Sequence, residues 1–97
     1  MKATLENTVI ATADAGELIT IEGNRYFPPS SIDWSTLEVS PTEYTCPWKG
    51  QAEYYSTVGG HKDVAWAYTT PSADAVERVG KDFGRYVAFD RSVVISE

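Results

Sequence analysis

A chain of 97 residues has material for one hydrophobic core, so a single domain is expected, one that buries only about two-thirds of its chain surface and leans on a few large side chains. Eight Lys and Arg, scattered from Lys2 to Arg91, stand against 14 Asp and Glu for a formal charge of -6, a field that repels phosphate backbones and anionic membranes and argues against both as partners. Cys46 is the only cysteine, which excludes an intrachain disulfide and Cys-x-x-Cys zinc pairs; with no long apolar run in Met1–Gly16, the expected setting is reducing and cytoplasmic, with no cofactor implied.

Three Trp, six Tyr and three Phe supply the large side chains, each worth roughly 150–250 Å² of burial. No repeat, low-complexity tract or charge run interrupts the chain. Thr8–Thr12 reads as a strand, Asp14-Ala15-Gly16 as its turn, and Leu18–Ile21 as the antiparallel return, closed by Gly23-Asn24. Arg25-Tyr26-Phe27 opens a third extended piece, which Pro28-Pro29 end or confine to a sheet edge because proline cannot donate to a ladder. Between Ser30 and Thr45 the breakers Ser30, Asp33 and Pro41 alternate with apparent anchors Trp34, Leu37 and Val39. That stretch reads as a long connection with little regular structure.

The strongest hairpin signal spans Gln51–Tyr68 around Gly59-Gly60, a dipeptide suited to positive φ. Period-two alternation puts Ala52, Tyr54, Ser56 and Val58 on one side, and Glu53, Tyr55 and Thr57 on the other. Val64, Trp66 and Tyr68 share a face of the partner strand. Thr70 as N-cap, Pro71 at the first helical position and Gly80 beyond the end predict one short helix over Pro71–Val79, whose stripe Ala75, Val76 and Val79 covers a sheet edge or end. Tyr86–Phe89 and Ser92–Ile95, separated by Asp90-Arg91, read as a last hairpin. Six or seven short strands and one helix predict a mainly β domain, a small antiparallel sandwich or open barrel.

Chemistry-bearing residues concentrate in Thr45-Cys46-Pro47-Trp48-Lys49-Gly50. Pro47 keeps Cys46 extended, and Gly50 lets the chain turn into the next strand. A lysine close to the thiol would raise its thiolate fraction and favour a nucleophile, whereas the commoner role of a lone cysteine beside a tryptophan is that of a small buried hydrophobe. The single histidine, His61, follows the Gly-Gly turn and is expected to be an exposed loop residue without a second histidine or cysteine to share a metal. Phosphate-cradling glycine motifs and the serine-hydrolase elbow are absent. There remains an aromatic and cationic set, Arg25, Tyr26, Trp48, Lys49, Tyr54, Trp66, Tyr68 and Tyr86. Lining one concave face, these would bind a planar or anionic small molecule; otherwise they are core and cross-strand pairs. Lys49 and Arg25 must reach water or pair with an acid such as Glu53 or Asp63.

The spaced run Tyr26-Phe27-Pro28, Cys46-Pro47-Trp48-Lys49-Gly50, Ala52-Glu53-Tyr54-Tyr55-Ser56, Asp63-Val64-Ala65-Trp66-Ala67-Tyr68 and Tyr86-Val87-Ala88-Phe89 resembles the bacterial family of domains of unknown function called DUF427, from about Glu6 to Ile95. The resemblance implies a β-tent-like fold without zinc knuckles and implies no activity. A nucleotidyltransferase-like label sometimes attached to the family finds no Gly-Ser followed by Asp-x-Asp here to hold two magnesium ions. Arg78–Arg85 departs from the family pattern by being longer and more polar.

Three functional classes follow. The first is a binding or accessory module with a pocket around Trp48, Lys49, Trp66 and Tyr68 for an unidentified small molecule or protein. The second is an enzyme using Cys46 or Lys49 in redox or group-transfer chemistry. The third is a structural homo-oligomer joined through strand edges.

Overall fold

In the computed structural model, which describes residues 1–97, nine strands build three antiparallel sheets, none closed into a barrel. In chain order they are β1 (Lys2–Leu5), β2 (Thr8–Thr12), β3 (Ile19–Ile21), β4 (Asn24–Tyr26), β5 (Leu37–Cys46), β6 (Gly50–Thr57), β7 (Ala65–Tyr68), β8 (Val87–Phe89) and β9 (Val94–Ser96), with one helix, α1 (Ala73–Val79), between β7 and β8. The sheets run β2-β1-β9, β3-β4 and β5-β6-β7-β8. No helix is long and apolar enough to cross a membrane.

The mainly antiparallel β architecture follows the sequence, but two of the three expected hairpins pair differently. Thr8–Thr12 turns back onto β1 through Glu6-Asn7 instead of onto Leu18–Ile21, and Ile19–Ile21 pairs with β4 through Glu22-Gly23. Both turns are two residues long and tight, whereas Ala13–Leu18 carries a single 3-10 turn that takes the chain from one sheet to another. The last two strands also part company. Asp90 accepts from the Ser92 amide and hydroxyl in an Asx turn, after which β9 joins β1 while β8 stays beside β7.

Ser30–Thr45 is the largest correction, because its second half is the ten-residue strand β5. β5 lies at the sheet edge with most side chains in solvent, and its register slips between Val39 and Glu43, around Pro41, so no apolar alternation marks it. Leu37 is buried as an anchor, but Val39 is 64% and Trp34 43% exposed. The chain after β4 behaves as expected: Phe27 makes a reciprocal backbone bridge with Val87 at the outer edge of β8, and Pro28 then ends the extension.

β6 and β7 are the predicted antiparallel pair, with Tyr54 opposite Trp66, although Gly59-Gly60 lies within a wide loop between Thr57 and Ala65 and not in a two-residue turn. Alternation along these strands divides the core in two. Tyr55, Ala65, Ala67, Val87 and Phe89 face a cluster that includes Ile10 and Phe27, while Ala52, Trp66, Tyr68 and Ala88 face one that includes Tyr26, Cys46, Ala75 and Phe83. Val64, expected beside Trp66, packs with the first cluster: it precedes β7, which begins at Ala65, so the strand alternation does not reach it, and Asp63 before it is left-handed, at φ 53°. The four-stranded sheet is thus covered on both faces, which explains its alanines: Ala52, Ala65, Ala67 and Ala88 leave room for the aromatic rings between them.

The helix begins two residues later than predicted. Ser72, not Thr70, is the N-cap, its hydroxyl accepting from the Ala75 amide at 3.1 Å, and Gly80 ends the helix in the left-handed conformation at φ 92°. Ala75 and Val79 meet the second cluster and turn the polar face outward.

Candidate functional site

Cys46 and Gly50 pair across the β5–β6 hairpin, so Pro47, Trp48 and Lys49 form its tip. Pro47 presets a turn-compatible φ and Gly50 takes φ 101°, a value that favours glycine. The tip projects two neighbouring side chains differently: Lys49 is only 6% exposed, whereas Trp48 is half-buried.

Lys49 turns inward under the indole. Its Nζ lies 5.2 Å from the Trp48 ring centroid and 5.1 Å from that of Tyr68, and it donates to Glu22 Oε1 at 2.5 Å. The partner is therefore neither of the acids expected from sequence. Glu53 instead accepts from the Tyr55 hydroxyl at 2.6 Å, and Asp63 from the Thr42 hydroxyl at 2.7 Å. Glu22 reaches Lys49 from the β3–β4 turn, where it adopts φ 52° ahead of Gly23 at 83°. A left-handed non-glycine residue costs roughly 1–2 kcal/mol, and the ion pair to a buried ammonium is the contact that this conformation makes available.

The electrostatics agree with an occupied, protonated lysine. Burial by itself lowers the Lys49 pKa, but the hydrogen bond it donates to Glu22 and the nearby Tyr26 and Tyr68 oxygens outweigh it, so the net shift is upward. The same hydrogen bond lowers Glu22, aided by the charge of Lys49. Burial raises Tyr26 and Tyr54 and pushes Tyr68 up to about 12.

α1 supplies the second cation. The Arg78 guanidinium lies 4.4 Å from the Trp48 ring centroid and, unlike Lys49, forms no ion pair. Two shallow depressions share the Trp48–Arg78 ridge. One, of about 270 Å³, is completed by Pro47, Ser72, Asp74 and Ala75. The other, of about 260 Å³, is completed by Thr20, Ile21, Glu22 and Val79.

The sequence-derived set is thereby divided. Trp48, Lys49 and Tyr68 come together. Tyr26 and Cys46 are buried beneath them in the same cluster, the thiol within electrostatic reach of Tyr26 and Tyr68. Tyr54 and Trp66 form a separate tilted pair with ring centroids 6.1 Å apart, tied to the core by a long 3.4 Å bond from the Trp66 indole to the Tyr26 hydroxyl. Tyr86 packs half-buried against the same cluster, and Arg25 is exposed on β4, outside these contacts. His61 is exposed as expected, and its Nε2 pairs with Glu6 at 3.2 Å, away from Cys46. No three His, Cys, Asp or Glu side chains converge on one point.

Sequence reasoning missed Glu22 and Arg78. Glu22-Gly23 carried a turn signal that could have been paired with Asn24, but nothing local marks Arg78, since its partner ring is distant in sequence. No curated protein matches the chain. Residues 1–95 match the family model described as "Domain of unknown function (DUF427)", a description that assigns no activity, and the chain belongs to that family.

Proposed function

We propose that this domain is a small-ligand binding module whose contact surface is centred on Trp48 and Arg78. The observation that carries this reading is the stacked guanidinium: Arg78 rests on the indole at 4.4 Å, pre-oriented, without an ion-pair partner, and on the wall of two depressions. A planar fork held this way suits carboxylate recognition, and the adjoining ring offers apolar surface. Lys49 supports the tip from below, its charge already engaged by Glu22.

Group-transfer chemistry is the weaker reading. A lysine kept protonated is a poor nucleophile, and Cys46 is 7% exposed within an aromatic cluster. Pairing between copies of the chain draws support from the exposed edge of β5, where Val39 and Tyr44 face solvent, although the bulge at Pro41 and the charge of -6 oppose it. A lone reduced thiol fits a cytoplasmic setting.

Native mass spectrometry of gently purified protein tests the proposal. A retained small-molecule adduct that disappears in Arg78→Ala is the expected result. An adduct that persists in that variant moves the site elsewhere, and a bare wild-type chain shifts the reading to a protein partner.

A further inference from the structure

Asp74 and Arg78 occupy positions i and i+4 of α1, a spacing at which an acid and a base ordinarily meet on a helix surface. Here they make no ion pair, because Arg78 lies on the Trp48 ring. Both nevertheless line the same depression of about 270 Å³, together with Pro47, Trp48, Ser72 and Ala75. The depression therefore carries one negative and one positive group held apart beside an apolar wall.

Each simpler ligand meets a penalty there. A plain anion satisfies Arg78 but faces Asp74 and the overall charge of -6, and a plain cation faces Arg78. A neutral ring would cover both charges without pairing either. Glu22, which lines the neighbouring depression with Trp48 and Arg78, is already engaged by Lys49. Ser72 accepts from the Ala75 amide, which leaves its own proton free to be donated to an oxygen of the ligand. The volume is small for a ligand pocket, whose usual range begins at about 300 Å³.

Resting on the binding role proposed above, the geometry points to a zwitterion as the ligand class: a free α-amino acid whose carboxylate sits on Arg78, whose ammonium sits on Asp74, and whose apolar or aromatic side chain lies against Trp48. Charge pairing at both ends supplies the selectivity, and stacking on the indole supplies the contact area.

The test follows the Trp48 indole N–H by ¹H–¹⁵N NMR during titration with L-phenylalanine, its methyl ester, and N-acetyl-L-phenylalanine. Free phenylalanine should shift that resonance saturably, and each blocked analogue should bind at least about tenfold more weakly, the loss of one charge-assisted contact. Arg78→Gln should lose the response. Asp74→Asn should bind phenylalanine and its N-acetyl derivative alike. Both positions are exposed, and an otherwise unchanged spectrum reports that the fold is kept. Equal binding of N-acetylphenylalanine and phenylalanine by the wild-type chain overturns the zwitterion inference while leaving a carboxylate-binding module in place. No shift at Trp48 with any of the three compounds also overturns it, and an Arg78-dependent adduct in the mass spectrum would then show that the binding role survives with another ligand.

Discussion

Substituting Lys49 by methionine and by alanine separates what its charge does from what its stem does. The side chain is 8% exposed, lies against two aromatic rings at 5.1 and 5.2 Å, and ends on a Glu22 carboxylate that remains largely in water. Methionine keeps the buried methylenes. It forfeits two cation–π contacts of roughly 0.5–2 kcal/mol each, yet it also removes the cost of desolvating an ammonium, and the released Glu22 regains solvent. The two effects oppose each other, so Lys49→Met should change stability by no more than about 1 kcal/mol. Alanine deletes three buried methylenes as well, at about 0.8 kcal/mol each, and leaves a gap under Trp48, for a loss of roughly 2–3 kcal/mol. In urea unfolding, with a slope of roughly 1–3 kcal/mol/M for a domain of this size, the alanine midpoint should fall by about 1 M or more while the methionine midpoint stays close to wild type. If methionine proves as damaging as alanine, the ion pair and not the packed stem holds the hairpin tip, and the assignment of Lys49 as a structural support is wrong.

Cys46 should react with a thiol reagent in the native protein no faster than the protein opens, and rapid native labelling would revive a catalytic thiol. Ser72→Ala should cost about 1 kcal/mol by stripping the cap from α1 and should weaken ligand binding through the lost hydroxyl donor and the displaced Arg78; calorimetric melting with and without ligand checks both. At alkaline pH the raised pKa values of Lys49, Tyr26, Tyr54 and Tyr68 mean that the folded state holds protons more tightly than the unfolded one. Their contribution is complete below about pH 10 and is lost as pH rises through the folded values, to about 12 for Tyr68, so the urea midpoint should hold up to about pH 10 and drop between about pH 10 and 12. At acid pH the sign reverses. Glu22, Asp63 and Asp90 are lowered by Lys49, by the Ser40 and Thr42 hydroxyls and by the Ser92 amide, so their contribution is present above about pH 4 and is lost as pH falls through the folded values. A midpoint that stays constant from pH 5 to pH 3 would contradict that reading.

What could be read from the sequence was whatever depends on near neighbours. Gly50 and Gly80 announced positions of positive φ, Pro28 stopped a strand, and period-two alternation put Trp66 and Tyr68 on one face before any fold was known, although Val64, assigned to the same face, packs with the other cluster. The cluster Cys46–Gly50 was recognisable as a concentration of chemistry-bearing residues, and the spaced run of motifs from Tyr26 to Phe89 pointed to the family that the match over residues 1–95 shows, but that the cluster forms a hairpin tip came only with the strand β5 before it. The pairing of strands was not legible in the same way, because a short strand such as β1 or β9 is stabilised only by the edge it finds, and two competing turns of similar quality cannot be ranked without that edge. β5 was hidden for a related reason: an edge strand with most side chains in water, broken by a bulge, carries no apolar period. The site itself belongs to the tertiary structure. Lys49 could have been paired with any nearby acid, and only the packing of the β3–β4 turn and α1 against the hairpin tip decided that Glu22 neutralises Lys49 while Arg78 is left on the indole. Charge and ring contacts act over a few ångströms of space regardless of their separation along the chain, so the sequence determined which groups were available and the fold determined which of them remained free to bind.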